Sequence, residues 1–160
     1  MTQADVTELL SDTAITVFRL NGRFMEVSES LARPVGLTAA WWQVLGAVLR
    51  EPLPVSGIAR AMGMTRQGVQ RVADLLVEKG LAEYRPNPAH KRAKLLTPTE
   101  EGRAAVAAIV PGHRKLAERL AAELGPEDFR TCLEALQRLC AAMDRITESW
   151  KPVKESSNEA

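Results

Sequence analysis

Apolar residues recur through the first part of the chain with the spacing of a helix. Successive positions of the pattern are three or four residues apart, so each position lies seven residues from the next but one. The set consists of Leu10, Thr13, Val17, Leu20, Phe24, Val27 and Leu31. This pattern predicts a long helix with a narrow apolar seam, as at the edge of a coiled coil. We expect the helix to end near Arg33, because Pro34 disfavours helical backbone in the residue before it.

Three shorter helices are predicted next, over residues 39–50, 56–62 and 66–79. Thr38 and Thr65 are the expected N-caps of the first and third of these helices. Gly63 and Gly80 stand where the second and third should stop, as suits a left-handed C-terminal position. Two helices joined by a short turn that contains glycine predict a helix-turn-helix.

A hairpin is predicted directly after the helix-turn-helix. Residues 81–85 and 93–96 read as short strands, and the breakers Pro86, Asn87 and Pro88 separate them. A helix-turn-helix followed by a hairpin predicts a winged helix-turn-helix. The expected fold class is therefore mainly α, with this small β hairpin and with long helices before and after it.

The rest of the chain predicts two long helices. The first is expected to begin with Thr97 as N-cap, Pro98 in the first turn and Glu100 as capping-box partner, and to be kinked at Pro111. Gly125 should end it. The apolar stripe of the second helix comprises Leu133, Leu136, Cys140, Met143 and Trp150. Polar and small residues dominate at 151–160, which predicts a disordered tail.

Composition and charge narrow the function classes. The chain has 160 residues, 46% of them hydrophobic and 26% charged, as in an ordinary globular protein of one domain. We find no membrane-spanning run and no signal-peptide pattern, and we expect a cytoplasmic protein. Two cysteines and two histidines favour neither a metal site nor a disulfide framework, and no cofactor is expected. Residues 60–94 hold eight basic and three acidic side chains on a nearly neutral chain, which is typical of a surface that meets phosphate.

The third short helix carries the candidate chemistry. At 100° per residue, Val69, Val72 and Leu76 fall on one side of it, and a polar face lies opposite. Arginine and glutamine have the donors that read guanine and adenine in a major groove, and a threonine cap at the helix N-terminus can contact phosphate. The hairpin adds basic residues that can enter a neighbouring minor groove, with Arg92 as the candidate for insertion. The predicted DNA-binding residues are Thr65, Arg66, Gln67, Gln70, Arg71, Arg85, Lys91, Arg92 and Lys94.

Several motifs, in this order and spacing, resemble the MarR family of winged helix-turn-helix regulators. They are the runs at 36–38 (GLT), 42–45 (WQVL), 58–67 (IARAMGMTRQ), 78–81 (EKGL) and 92–102 (RAKLLTPTEEG). The resemblance implies a single unit over residues 1–150, with dimerisation helices in 5–33 and 98–150 around a DNA-binding lobe at 38–97. It also implies a homodimer, for which the apolar seams of the first and last helices are independent support. Many members carry an aspartate two residues before the arginine at the wing tip, and here that residue is His90.

The resemblance further implies a small aromatic or phenolic effector that binds between the dimerisation helices and the lobe. Trp42 matches the family's core position, which leaves its neighbour Trp41 free to line such a cleft. Arg19, Arg23 and His113 are the candidate polar partners of a ligand there. Structural alternatives are a histidine at a dimer seam and a tryptophan at the surface or at an interface.

The expected function is that of a sequence-specific DNA-binding transcription repressor that binds a pseudo-palindromic operator. The chain lacks a phosphate loop, a nucleophile with its base, or a carboxylate cluster, and so we do not expect an enzyme. Two alternatives stay open. One is a winged helix that binds only proteins. The other is a redox-sensing regulator that uses Cys132 or Cys140, although the place of Cys140 on the apolar stripe suggests a packing role.

Overall fold

The computed structural model describes residues 2–150, and the predicted disordered tail at 151–160 lies outside the described residues. In chain order the elements are α1 (Gln3–Ala32), a 3-10 turn (Arg33–Val35), α2 (Ala39–Val48), β1 (Leu53–Pro54), α3 (Val55–Met62), α4 (Arg66–Glu78), β2 (Ala82–Arg85), β3 (Leu95–Pro98), α5 (Glu100–Leu124) and α6 (Pro126–Ser149). The chain divides into two compact units, one ending at His113 and the other beginning at Arg114. The predicted fold class, a mainly helical winged helix-turn-helix, is confirmed.

The short helices of the first unit begin and end within two residues of their predicted bounds, since α2 ends at Val48 and not at 50, α3 begins at Val55 and not at 56, and α4 ends at Glu78 and not at 79. Thr38 accepts a hydrogen bond from the Trp41 amide at 3.2 Å, and Thr65 accepts one from the Gly68 amide at 3.0 Å. Gly63 and Gly80 follow α3 and α4 with φ of 62° and 72°, in the left-handed region that favours glycine. The helix-turn-helix is thus fixed by local chemistry at both ends of α4.

The core of this unit lies between α2, α3, α4 and β3. Leu45, Ile58, Leu76 and Leu96 are its largest fully buried side chains. Val106 and Ile109 of α5 belong to the same buried cluster. Trp41 and Trp42 are both half-buried against it. Neither tryptophan is therefore free of the core, although the adjacent positions suggested that only one would pack against it.

The sheet has three strands in the order β1-β3-β2, all antiparallel. The sequence predicts the two strands of the hairpin, β2 and β3, and misses β1, which is only two residues long. The pairing also extends β3 beyond its predicted end, since Thr97 pairs with Glu83 and Pro98 with Ala82. β1 is not predicted because a strand of two residues is too short to show the alternation of apolar and polar positions that indicates a strand.

The predicted start of α5 is wrong by two residues. Thr97 is not the N-cap, because it is a buried residue of β3. Thr99 caps the helix instead, as its Oγ1 accepts a hydrogen bond from the Gly102 amide at 3.1 Å. The same hydroxyl donates to the Gly80 carbonyl at 2.7 Å, and the Thr99 amide donates to the Leu81 carbonyl at 3.1 Å. The pairing of Pro98 in the sheet moves the cap to the next threonine.

The long helices expose much apolar surface. On α1, Leu10, Val17, Leu20 and Phe24 of the predicted seam are exposed, as are Ile15 and Phe18 beside it. Only Thr13, Val27 and Leu31 of that seam are half-buried. On α6, the exposed large apolar side chains are Leu133, Leu136, Met143 and Ile146, and Trp150, which follows the helix, is exposed as well. Cys140, expected to pack on the apolar stripe, is exposed, and so is Cys132.

Gly102 marks a very close approach between α5 and the loop that follows α4. A Cβ atom at this position would lie 1.9 Å from the Leu81 carbonyl oxygen, which belongs to the backbone. The Thr99 and Gly80 hydrogen bonds hold the two segments at this separation. Any side chain at position 102 must therefore force the segments apart.

We expect Gly102→Ala to lower the free energy of unfolding by ~1–3 kcal/mol or more, the usual cost of overpacking a tight contact. Gly46→Ala is the matched control, because nothing lies within 4 Å of a Cβ there and the residue is in the interior of α2. That change should raise stability by ~0.5–1 kcal/mol. Denaturant unfolding followed by circular dichroism measures both values. Equal stability of the two variants would contradict the close approach.

Candidate nucleic-acid interface

The burial of one side of α4 decides which of its residues are available to a partner. Val69, Ala73 and Leu76 are 0% exposed. Arg66 and Arg71 lie on the exposed side, together with Gln67 and Gln70. The polar face predicted from the sequence is therefore the free face of this helix.

A groove of about 700 Å³ lies between this face, the start of α3 and the hairpin. The helix lines it with Arg66, Gln67, Gln70 and Asp74, and the hairpin with Tyr84, Arg92, Ala93 and Lys94. Pro54, Val55 and Ser56 close the third side. The structure thus places five of the predicted DNA-binding residues around one concave surface.

Two further depressions continue this surface on either side. One, of about 420 Å³, shares Gln67 and Gln70 with the groove and adds Arg71. The other, of about 400 Å³, shares Tyr84 and Lys94 with it and adds Arg85 and Lys91 at the hairpin. Thr65 lines none of these three surfaces, and its hydroxyl caps α4. Eight of the nine predicted residues therefore form one band from α4 to the wing.

The cations of the wing differ in what surrounds them. Arg85 forms an ion pair with Glu83 at 2.6 Å, and its charge is partly neutralised on this exposed strand. The Lys94 ammonium lies 5.9 Å from the centre of the Tyr84 ring, as in a cation–π contact. At the tip, Asn87 Oδ1 accepts a hydrogen bond from the Ala89 amide at 3.0 Å, which closes a tight turn.

A network of three side chains joins α4 to the hairpin. Gln70 Nε2 donates to Asp74 Oδ1 at 2.9 Å and to Tyr84 Oη at 2.9 Å. The Tyr84 hydroxyl donates to Asp74 Oδ1 at 2.7 Å. Because Tyr84 belongs to β2, these bonds tie the middle of α4 to the hairpin. This role of Tyr84 and Asp74 was not predicted from the sequence.

The environment of Tyr84 changes its acidity. Partial burial, the hydrogen bond to Asp74 and the charge of that carboxylate together raise the pKa of Tyr84 to about 12, and the Gln70 hydrogen bond opposes this shift. The phenol therefore stays protonated as a donor across the physiological range. Asp74, which accepts from both partners, holds the network together.

The four candidate ligand residues lie away from the groove, since none of them lines it. Arg19 and Arg23 are exposed on α1, and Arg23 forms an ion pair with Glu26 at 3.0 Å. The His113 ring meets Trp42 edge-on at 5.6 Å between ring centres, so its aromatic neighbour is not Trp41.

Within residues 2–150, no group of three or more His, Cys, Asp or Glu side chains could hold a metal ion. No helix there combines the length and the apolar character that a membrane span requires.

Comparison with known proteins places these features in context. The profile of the MarR family matches residues 35–93. An uncharacterised protein of Mycobacterium tuberculosis is 39% identical over 139 residues, which are 87% of this chain and 94% of that protein.

Solved structures are similar in fold. CouR from Rhodococcus jostii RHA1, bound to p-coumaroyl-CoA, matches with a TM-score of 0.70 and 23% identity over 82% of this chain and 94% of its own. A MarR variant from E. coli in complex with operator DNA matches with a TM-score of 0.66 and 22% identity over 79% of this chain and 91% of its own. At these identities the match concerns the fold alone.

The acidity of Tyr84 can be measured directly, because it is the chain's single tyrosine. We expect its phenolate absorbance to appear with a midpoint near pH 12 rather than at the ordinary value of 10.0. Asp74→Asn removes the carboxylate charge, so the midpoint should fall towards 10.0 while burial keeps it somewhat above. The same midpoint in both proteins would contradict the network.

The raised pKa also has a consequence for stability. The folded chain holds the phenolic proton more tightly than the unfolded chain, so this contribution is fully present below pH 10.0 and is lost as the pH rises towards about 12. We expect the loss of stability over this window to be smaller in Asp74→Asn than in the wild type.

Proposed function

The chain belongs to the MarR family of transcription regulators, and we propose that it represses transcription by binding a pseudo-palindromic operator as a homodimer. The observation that carries the proposal is the continuous band of Arg, Lys and Gln side chains from α4 to the wing. A winged helix that binds only proteins would be expected to show apolar side chains on this face. An enzymatic role has no support, since the family consists of transcription regulators.

Base recognition falls to the exposed face of α4. Arg66 and Gln67 lie at its N-terminal end, the part of a recognition helix that reaches base edges in the major groove. The wing has a different task. Arg92 and Lys94 line the opposite side of the groove, where they can contact phosphate or enter the adjacent minor groove.

A second copy of the chain is the proposed partner of the long helices. Phe18 is 73% exposed and Trp150 67%, and both stand among other exposed apolar residues on α1 and α6. A monomer would leave these apolar surfaces in water, whereas association would bury them. A two-fold dimer presents two recognition helices to half-sites about one turn of DNA apart, ~34 Å.

Release of the protein from its operator by a small aromatic effector stays a prediction. The p-coumaroyl-CoA complex of CouR supports an aromatic ligand class for this chain. Trp41, Arg19, Arg23 and His113 are the residues proposed to contact it. A redox role for the exposed Cys132 and Cys140 is the alternative mode of control. In either case the proposed regulator acts in the cytoplasm, where it meets DNA.

Gel shifts with the DNA that flanks the gene of this protein test the proposal. We expect specific binding, and we expect Arg66→Ala to weaken cognate binding by ~1–3 kcal/mol with little effect on random DNA, because it removes base readout. Arg92→Ala should instead weaken both and reduce the slope of log K against log salt by about 1, as for one lost phosphate contact. Lack of any preference for the cognate DNA would refute sequence-specific binding.

Light scattering tests the dimer. We expect the wild type to have twice the mass of a 17.5 kDa chain. The double variant Leu10→Glu, Val17→Glu places charges in the exposed seam of α1. It should have the mass of one chain at the concentration at which the wild type is a dimer. Arg50→Glu, a charge change at an exposed position beyond α2, is the control and should remain dimeric. A wild-type mass of one chain would rule out the dimer.

A further inference from the structure

Side chains from two long helices bind the two ends of α2. At the N-terminus of α2, Glu29 Oε2 of α1 accepts a hydrogen bond from the Ala39 amide at 2.8 Å. Just beyond the C-terminus of α2, the Leu49 carbonyl accepts a hydrogen bond from Arg103 Nη1 of α5 at 3.0 Å. We call this pair of contacts the α2 clamp. It joins residues that lie 10 and 54 positions apart in the sequence.

The charges of the α2 clamp are those that the ends of a helix favour. Free N–H groups give a helix N-terminus a partial positive charge, and free carbonyls give its C-terminus a partial negative charge. Glu29 brings a carboxylate to the first end, where Arg33 pairs with its other oxygen at 3.4 Å, and Arg103 brings a guanidinium to the second. The first turn of α2 has no acidic residue and the last turn no basic one. Both charges therefore come from outside α2.

The two helices that supply the α2 clamp also approach each other. A Cβ atom at Gly112 of α5 would lie 2.7 Å from Leu31 Cδ2 of α1, which leaves no room for a side chain unless Leu31 moves. The next residue of α5, His113, meets Trp42 of α2 at 5.6 Å between ring centres. α2 is thus held by two helices that are themselves in contact.

The core connects α2 with the recognition surface. Val44 and Leu45 of α2 are fully buried in the same cluster as Val69 and Leu76 of α4. Side chains packed at the density of a protein interior transmit displacement, because they leave little free volume between them. The position of α4 therefore follows that of α2, and the position of α2 follows those of α1 and the start of α5.

We infer that Glu29 and Arg103 are positioning residues, which fix the direction of α4 relative to α1 and the start of α5 and so determine the half-site spacing that the dimer accepts. The inference rests on the proposed binding of an operator by a homodimer, and it specifies what sets the spacing. Neither residue lines the band of predicted DNA contacts. Their effect on DNA binding is therefore exerted through the orientation of the lobe.

The spacing of half-sites is sensitive to the rigidity of the lobe. One extra base pair between the half-sites moves one of them by ~3.4 Å along the DNA and turns it by ~35° about the axis. A lobe that can tilt on its own long helices follows this change, whereas a lobe held by the α2 clamp loses base contacts. A rigid lobe also has less freedom to lose on binding, so release of the clamp weakens binding to the preferred spacing.

Operator duplexes of altered spacing test the inference. The operator is first selected from a randomised DNA library, and a second duplex then carries one extra base pair between the half-sites. We expect the wild type to bind the second duplex at least about tenfold more weakly than the first, comparable to the cost of one mismatched base pair. In Glu29→Ala and in Arg103→Ala this ratio should fall to about threefold or less. Both affinities are measured on the same preparation, so a loss of folded protein cancels in the ratio.

Two further variants of α1 separate the hydrogen bond from the general effect of a substitution. Glu29→Gln keeps an oxygen within reach of the Ala39 amide and should retain most of the wild-type ratio. Glu26→Ala is the matched control, because it breaks an ion pair with Arg23 between exposed side chains of α1, and it should leave the ratio unchanged. Arg103 is exposed, so its truncation leaves the core intact and tests the clamp even where a change at the half-buried Glu29 prevents folding.

The outcomes separate this inference from the proposed function. If a folded alanine variant keeps the wild-type ratio, or if the wild type binds both duplexes equally, the inference is overturned and sequence-specific DNA binding stands. If the wild type enriches no sequence or is a monomer, the proposed function fails, and the inference fails with it. A purely structural role for Glu29 and Arg103 would lower stability and weaken binding to both duplexes by the same factor, which leaves the ratio unchanged.

Discussion

The interface depends on the complete burial of one side of α4. Val69, Ala73 and Leu76 have no exposed surface, and full burial of a valine or leucine side chain such as Val69 or Leu76 contributes ~1.5–3 kcal/mol. This packing fixes the rotation of the helix about its axis, because a turn of about 180° would put the polar side in the core and the apolar side in water. Arg66 and Gln67 face outwards as a result, without any interaction of their own that holds them there.

The polar interactions orient individual groups on the surface that the packing of the core exposes. Two hydrogen bonds to Tyr84, from Gln70 at 2.9 Å and to Asp74 at 2.7 Å, tie α4 to β2, and the third bond of the network joins Gln70 to Asp74 within α4. Arg and Lys side chains on both sides of the groove then supply the positive charge that a DNA backbone requires. Hydrophobic burial thus sets the orientation of the surface, and hydrogen bonds set the orientation of particular groups on it.

Local signals made much of the fold predictable. Caps such as Thr38 and Thr65 and the glycines at 63 and 80 act on their immediate neighbours, so their effects are visible in the sequence. The start of α5 was not predictable in this way, because the pairing of Thr97 with Glu83 competes with the capping box and prevails. β1 is too short to have a pattern.

The candidate site was predictable in the same way: features that depend on neighbouring residues are visible in the sequence, and contacts between distant residues are not. The polar face of α4 follows from helical periodicity, and the basic wing from a count of charges. The role of Tyr84 does not, because the hydrogen bond from Gln70 spans fourteen positions of the chain and depends on how β2 docks. The spacing of Gln70 and Asp74 by one helical turn was the only part of the network present in the sequence.

The close contact at Gly102 has a mechanical consequence. No side chain separates the first turn of α5 from the Leu81 carbonyl, and Thr99 bonds both segments of the junction. Such a junction transmits displacement as a rigid coupling and not as a spring, because at Gly102 the helix meets the Leu81 backbone with no side chain between them that could change rotamer to absorb the motion. A force that tilts the start of α5 would therefore be passed to the C-terminal end of α4 with little loss.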